Sequence, residues 1–384
     1  MESIKNANLK GKKVLVRVDF NAPLKEGKVI SNERLQVVLP TIKYLQEKNC
    51  IIILLSHLGR PKGKYVPGLS LKPVAEELSN LLGQTVSLAK DCIGAEVETT
   101  INNLKPKEVI LLENTRFHPE DKANDSAFSK QLGALADIFV FDGFAVAHRE
   151  NASTVGIQKY LPSYIGFSVE KELKKIGEIL ESPKKPFILV LGGAKISDKI
   201  ALIKNMLPKV DKILVGGAMA FPFLRKKGLS TGVSYLKEDS GNLVAELDSD
   251  KIVLPDDFTV SDSRESKISK TVPVEKIPDD KMGLDIGPAT VAKFSKIIES
   301  AGTIVWNGPL GVYENPEFAK GTKGVAEAVS KAKVSLLGGG DIVAAIELSG
   351  HKKSDFTHVS TGGGALLTLL EGKSLPALTT EKFK

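Results

Sequence analysis

The chain has 384 residues, beyond the ~250–300 at which single hydrophobic cores stop growing, so two domains are expected. With 42% hydrophobic and 26% charged residues it has the composition of a folded globular protein, and 34 Gly and 19 Pro are too few for a collagen-like or disordered chain. A formal net charge of +7 suits an anionic partner, while two cysteines, Cys50 and Cys92, exclude a disulfide framework and a cysteine-rich zinc site.

The opening MESIKNANLKGKK lacks the apolar stretch of a signal peptide, and no apolar run approaches the ~18 residues that span a bilayer, so a soluble cytoplasmic protein is expected. The lysines are dispersed, with no basic run interleaved with aromatics, which argues against nucleic acid or a membrane surface as partner. Of 53 cations only seven are Arg, and five of those precede residue 150. A chain that carries its general charge on Lys reserves Arg for its planar fork, as in bidentate binding of phosphate or carboxylate.

In chain order, short β-branched runs fall at Val14–Phe20, Ile51–His57, Val109–Glu113 and Ile138–Phe144, then at Phe187–Gly193, Ile213–Gly217, Lys251–Pro255, Thr303–Pro309, Val334–Gly340 and Thr357–Gly364. Helical patterns separate them, for example Lys72–Leu82 and Ser197–Leu207. This alternation predicts an α/β protein with two Rossmann-like, parallel-sheet, three-layer domains. A helical hinge joins them: Val169, Leu173, Ile176 and Leu180 share one face, Ser168 is the expected N-cap, and SPKKP ends the helix. The expected boundaries are 1–165 for the first domain, 166–186 for the hinge, 187–370 for the second domain and 371–384 for a C-terminal segment.

Ligands of open parallel sheets sit at the carboxyl ends of the strands. In the first half these ends carry Asp19 and Asn21 (RVDFNAP), His57 and Arg60 (SHLGRP), Arg116 and His118 (ENTRFHP), and His148 and Arg149 (AHR), which together predict an anion pocket. Arg17 lies within a strand, where a structural role holding Asp19 or Asp142 is the alternative. In the second half the strands end in glycines that run into helices: GGAKISDK, GGAMAF, GGGDIVAAI and GGGALLTLL. Close backbone approach and the positive helix N-terminus make phosphate the natural guest, although neither GxGxxG nor GxxxxGK[ST] is present. Lys195 and Lys199, four apart, are expected on one helical face to neutralise phosphate, with an exposed lysine stripe as the alternative. Asp341 is either a simple N-cap or a holder of Mg²⁺; Glu314 either accepts from a ribose or is solvated. An anion pocket facing a polyphosphate site across a hinge is a layout for phosphoryl transfer after closure.

RVDFNAP, SHLGRP, ENTRFH, AHR, LGGAKISDKI, MGLDIGP, WNGPLGVYE, GGGD and STGGGA occur in an order that resembles the phosphoglycerate kinase family over nearly the whole chain. The resemblance implies reversible transfer between 1,3-bisphosphoglycerate and ADP, giving 3-phosphoglycerate and ATP, with Mg²⁺, in a monomer whose C-terminal segment returns to the first domain. It implies that Asp19, Phe20, Asn21, Arg34, His57, Leu58, Gly59, Arg60, Arg116 and Arg149 bind the glycerate. For the nucleotide it implies Lys199, Gly216, Gly217, Gly283, Glu314, Gly338, Gly339, Gly340, Asp341 and Ile342, with Asp341 on the metal. Arg34, Lys195, Lys199, Gly339 and Gly363 surround the transferring phosphoryl in this reading. Three positions depart from the family pattern: Ile342 stands where Thr or Ser is usual, Val146 where a small or hydroxylated residue is common, and Pro222 delays its helix to Met219 or later. A catalytically weakened scaffold of the same fold is the alternative reading, and Ile342 is its main support.

Overall fold

A computed structural model of the chain describes residues 1–236, 240–247 and 249–379. The chain forms two compact units, one of Met1–Lys174 with the described residues from Ser374 onward, the other of Lys175–Lys373.

The sheet of the first unit comprises β1 (Glu2–Ser3), β2 (Lys13–Val18), β3 (Ile51–Leu55), β4 (Val86–Leu88), β5 (Val109–Leu111), β6 (Ile138–Asp142) and β7 (Ser163–Ile165). All strands are parallel, in the order β1-β7-β6-β2-β3-β5-β4. From Val14 to Val18 every residue of β2 is buried, as apolar runs without alternation require when both faces of a sheet are covered. Val14, Val16 and Val18 pack with Ile52 and Leu54, and against Ile42 and Leu45 of helix Leu39–Glu47 and Val74 and Leu78 of helix Lys72–Leu82. The chain leaves β2 toward β3 on one side and returns to β6 on the other, so a topological switch point lies between β2 and β6.

The second unit has a parallel sheet of β8 (Phe187–Leu191), β9 (Lys212–Val215), β10 (Ile252–Val253), β14 (Thr303–Asn307), β15 (Ser335–Gly338) and β16 (His358–Ser360), ordered β10-β9-β8-β14-β15-β16. Its switch point lies between β8 and β14. Beside it stands a small antiparallel sheet of β11 (Asp257–Ser261), β12 (Lys270–Pro273) and β13 (Met282–Ile286), which the apolar pattern did not reveal. Its outer strand β12 has a single buried residue, Val272, so there was little hydrophobic run to read.

The linking helix spans Phe167–Leu180, with Val169, Ile176 and Ile179 buried. Ser168 is not its cap, since it lies inside the first turn. Asp142, at the end of β6, takes that part: its Oδ1 accepts from Val169 N at 3.1 Å, and the Ser168 amide also donates to the carboxylate. Gly166 permits this approach, because a Cβ there would lie 2.3 Å from Asp142 Cγ. Pro222 occupies the second position of helix Phe221–Lys226, where its missing N–H costs nothing, and a 3₁₀ turn at Ala218–Ala220 precedes it.

Ala377 N donates to Ala147 O at 3.1 Å and Gln158 donates to Ala377 O at 2.8 Å, which ties this part of the C-terminal segment to the first unit. Residues 380–384 of that segment lie outside the described residues.

Candidate functional site

Strands β2, β3, β5 and β6 each stop two residues short of their apolar runs, which leaves Asp19, Phe20, Ser56 and His57 in the turns that follow, with Leu58 just beyond. Asp19 is nearly buried; one carboxylate oxygen pairs with the Arg34 guanidinium and the other accepts from Asn21 N at 3.3 Å. Asn21 Oδ1 accepts from Gly59 N at 2.8 Å, and Phe20, fully buried, donates its amide to Ser56 Oγ at 2.9 Å. The turns after β2 and β3 are thereby locked together. Gly59, at φ 61°, adopts a left-handed backbone, and a side chain there would meet Leu69 at 2.6 Å.

His57 is buried, and its Nδ1 lies 3.2 Å from Arg17 Nη2. A guanidinium only donates, so Nδ1 accepts and the neutral ring carries its proton on Nε2. Burial, then Arg17, Arg149 and Arg34 in that order, hold the imidazole well below its ordinary pKa. Arg17 itself is buried and donates to Ser153 Oγ at 3.2 Å and to the carbonyls of Val18 and Leu55. These groups anchor it and Asp19 acts on it electrostatically, whereas Asp142 faces the linking helix.

Arg116 donates to Gly59 O at 2.6 Å, and its half-buried guanidinium is carried on the 3₁₀ turn Thr115–Phe117. Asn114 organises that turn: Oδ1 accepts from Leu58 N and Arg116 N, both at 3.1 Å, and Nδ2 donates to Leu58 O and Leu69 O. Sequence reasoning passed over Asn114, although an Asx residue at a strand end is a recognisable turn signal. Arg60 is exposed on the turn after β3. His148 and Arg149 are half-buried neighbours, with Arg149 Nε 3.5 Å from His148 Nε2. His118 is drawn elsewhere, with Nε2 2.6 Å from Asp91 Oδ1.

In the second unit Lys199 is buried, and its ammonium donates to Asn307 O at 3.0 Å and to Asn307 Oδ1. Burial lowers its pKa to about 8, opposed by Asp341 and Asp198. Lys195 is exposed and extended, and a 3₁₀ turn, Ile196–Asp198, separates the two lysines. They therefore do not share a helical face: the helix begins only at Ile200. Asn307, another residue missed within WNGP, also donates from Nδ2 to Gly338 O and so joins the ends of β14 and β15.

Several of the glycines pack without room for a side chain. A Cβ on Gly192 would lie 2.0 Å from Pro309 O, one on Gly217 3.0 Å from Gly193 O, and one on Gly363 2.9 Å from Gly339 Cα. Gly339 sits at φ 118° before helix Gly340–Leu348, and Gly362 precedes helix Gly363–Leu370, so two helix N-termini with free-facing amides adjoin each other. Gly216 and Gly283 border an apolar spot of Leu310, Ile286 and Phe221. Asp341 and Glu314 are exposed, and after burial both help raise the pKa of the Tyr313 phenol. Ile342 is fully buried, as is Val146 nearly so in the turn before His148. Asp285 of MGLDIGP, also missed, is buried and accepts from Gly321 N at 2.6 Å and Ile286 N at 2.9 Å; burial raises its pKa well above the ordinary carboxylate value.

The protein-family model described as phosphoglycerate kinase matches residues 4–373. The chain is 48% identical over 390 residues to the phosphoglycerate kinase of Dictyoglomus turgidum, covering 99% of this chain and 98% of that protein. It is 49% identical over 391 residues to that of Enterococcus faecalis, again covering 99% and 98%. Among solved structures it is similar to the phosphoglycerate kinase of Coxiella burnetii, with a TM-score of 0.84, 38% identity and coverage of 98% and 97%. The enzyme from Pyrococcus horikoshii OT3 superimposes with a TM-score of 0.86 at 34% identity, covering 98% of both chains.

Proposed function

This chain belongs to the phosphoglycerate kinase family and catalyses reversible phosphoryl transfer between 1,3-bisphosphoglycerate and ADP, giving 3-phosphoglycerate and ATP; from that premise we propose which of its residues carry each part of the reaction. Asp19, Phe20, Asn21, Arg34, His57, Leu58, Gly59, Arg60, Arg116 and Arg149 hold the glycerate. Lys199, Gly216, Gly217, Gly283, Glu314, Gly338, Gly339, Gly340, Asp341 and Ile342 hold the nucleotide. Arg34, Lys195, Lys199, Gly339 and Gly363 surround the transferring group.

The observation that carries the assignment is the convergence of Arg34, Arg149 and Asp19 on a neutral His57 at the carboxyl end of the first sheet. An acyl phosphate already has a good carboxylate leaving group, so the reaction needs positioning and charge neutralisation rather than an acid or base. Guanidinium groups grip the substrate phosphate and carboxylate through charge-assisted bonds, while His57 Nε2–H donates without adding another charge. In the reverse direction the same contacts hold the carboxylate in line for attack. The Lys199 ammonium and the amides at Gly338–Gly340 and Gly362–Gly364 stabilise charge on the transferring oxygens.

Mg²⁺ fits the residues present, because Asp341 offers an exposed, hard carboxylate in the first turn of its helix, within electrostatic reach of Lys199. When bound, the ion neutralises nucleotide phosphate charge. The same reading takes the chain as a cytoplasmic monomer: among the described residues no helix is long and apolar enough to cross a membrane, and both cysteines are free and buried.

Calorimetric titration of 3-phosphoglycerate and of ADP into Arg34→Met and Lys199→Met tests the division of labour. Arg34→Met is expected to lose 3-phosphoglycerate and retain ADP, and Lys199→Met the converse. Loss of ADP alone in Arg34→Met overturns the assignment.

A further inference from the structure

We propose that Asp91, Cys92 and His118 form a second, thiophilic metal site in the first unit, one that takes a Zn²⁺-class divalent cation through a carboxylate oxygen, a thiolate and an imidazole nitrogen. The three ligand atoms lie within 4.8 Å of one another. Asp91 and Cys92 follow β4, and His118 ends the 3₁₀ turn that carries Arg116, so two separate loops supply the donors. Zinc–ligand lengths of about 2.0–2.3 Å put tetrahedral donors roughly 3.3–3.8 Å apart. The Asp91–His118 pair stands closer than this, at 2.6 Å, and the triad as a whole spans no more than 4.8 Å. Small side-chain rotations therefore bring all three to one ion, with water as the fourth ligand.

The surroundings favour a cation. Cys92 is fully buried, whereas the Asp91 side chain is 48% exposed and that of His118 24% exposed, which gives an entry path on one side of the thiol. The groups that act electrostatically on the triad are carboxylates: Asp121 on both Cys92 and His118, and Glu120 on His118. A mixed S, N, O donor set selects zinc, cobalt, nickel or copper over magnesium, which demands oxygen ligands. On binding, the Cys92 S–H proton and any proton on His118 Nε2 leave to solvent, S–metal, N–metal and O–metal bonds form, and the bound ion sheds waters. No change of oxidation state is involved. Because His118 is two residues from Arg116, occupancy fixes the turn that presents that guanidinium, so the ion acts as a modulator of the substrate loop and stands apart from the nucleotide metal.

The test is an anaerobic titration of the metal-stripped full-length protein with Co²⁺, whose thiolate complex absorbs in the near ultraviolet. One equivalent is expected to develop a thiolate charge-transfer band that Zn²⁺ abolishes and a large excess of Mg²⁺ does not. Cys50→Ser is expected to keep the band, since Cys50 is the other thiol and lies buried against Leu9 O. Cys92→Ser is expected to lose it, and, should that variant fold poorly, His118→Asn is expected to weaken Co²⁺ binding at least tenfold with an unchanged circular dichroism spectrum. A protein without the band, or a band that survives in Cys92→Ser, overturns the proposal.

Discussion

The Lys199 ammonium is 3.0 Å from the Asn307 carbonyl, so the first turn after β8 is bonded to the end of β14 across the switch point of the second sheet. In an open parallel sheet this is where a ligand is bound. The cation is held by two neutral oxygens of one residue and, among the described residues, no carboxylate is hydrogen-bonded to it, which leaves its charge to be completed by an anion.

That arrangement predicts proton-linked nucleotide binding. Burial lowers the Lys199 pKa to about 8, and ADP phosphates restore it toward its ordinary value. At pH 8–9 the free protein is partly deprotonated there and the complex is not, so ADP binding takes up protons. Calorimetry in two buffers of different ionisation enthalpy is expected to show this uptake in the wild type but not in Lys199→Met. For folding the sign is the opposite of a salt-bridged lysine. The unfolded chain binds the proton more tightly between pH 8 and the ordinary lysine pKa of 10.5, so stability rises with pH over that window.

The glycine turns make a second, steric prediction. Gly363→Ala places a methyl 2.9 Å from Gly339 Cα, whereas a Cβ on Gly340 meets nothing within 4 Å. Thermal unfolding is expected to show a loss of about 1–3 kcal/mol for Gly363→Ala and little change for Gly340→Ala. Equal destabilisation of the two would remove the close approach of the turns as the cause.

Asp142 predicts a pH dependence of stability. Burial raises its carboxyl pKa to about 7 against 3.8 for an unshifted group, despite the bonds from Thr41, Val169 and Ser168 that oppose the shift. The folded state therefore holds a proton that the unfolded state releases, and stability falls as pH rises from about 4 to 7. At about 1.4 kcal/mol per pH unit this amounts to roughly 4 kcal/mol. Asp142→Asn keeps an acceptor for the helix N-terminus and lacks this titration. Denaturant unfolding across that range is expected to show a wild-type decline absent from Asp142→Asn.

Ile342 predicts a trade. The family resemblance read from the sequence implies Thr or Ser at this position, and here the side chain is fully buried, close to Gly339. Ile342→Thr is expected to tighten ADP binding by up to the value of one charged hydrogen bond, about 1.5–3 kcal/mol, while lowering stability by about 1–2 kcal/mol through lost apolar burial. Unchanged ADP affinity would show that the backbone amides already suffice.

The parallel strands and the meeting of Asp19, His57 and Arg149 at the end of the first sheet were legible because both depend on local signals, apolar runs and the residues that end them, whereas Arg34 came from the family resemblance alone. What escaped reading depends on partners distant in sequence. Ser168 has the chemistry of a cap, yet Asp142, 26 positions earlier, occupies the place because β6 ends there. Lys195 and Lys199 have helical spacing, but the chain between them turns in 3₁₀ geometry, which buries one and exposes the other. Asn114, Asn307 and Asp285 looked like ordinary turn or strand residues. Their importance lies in the amides and carbonyls of neighbouring elements to which they bond.

The most direct test of the assigned reaction is a coupled assay of ADP formation from ATP and 3-phosphoglycerate, with and without Mg²⁺, on the wild type and Lys199→Met. Phosphoryl transfer at Lys199 predicts metal-dependent turnover in the wild type and a fall of roughly a hundredfold or more in kcat for a folded Lys199→Met, as when a preorganised donor is removed from a transition state. A folded wild type that binds 3-phosphoglycerate yet shows no turnover, or a Lys199→Met variant as active as the wild type, would contradict it.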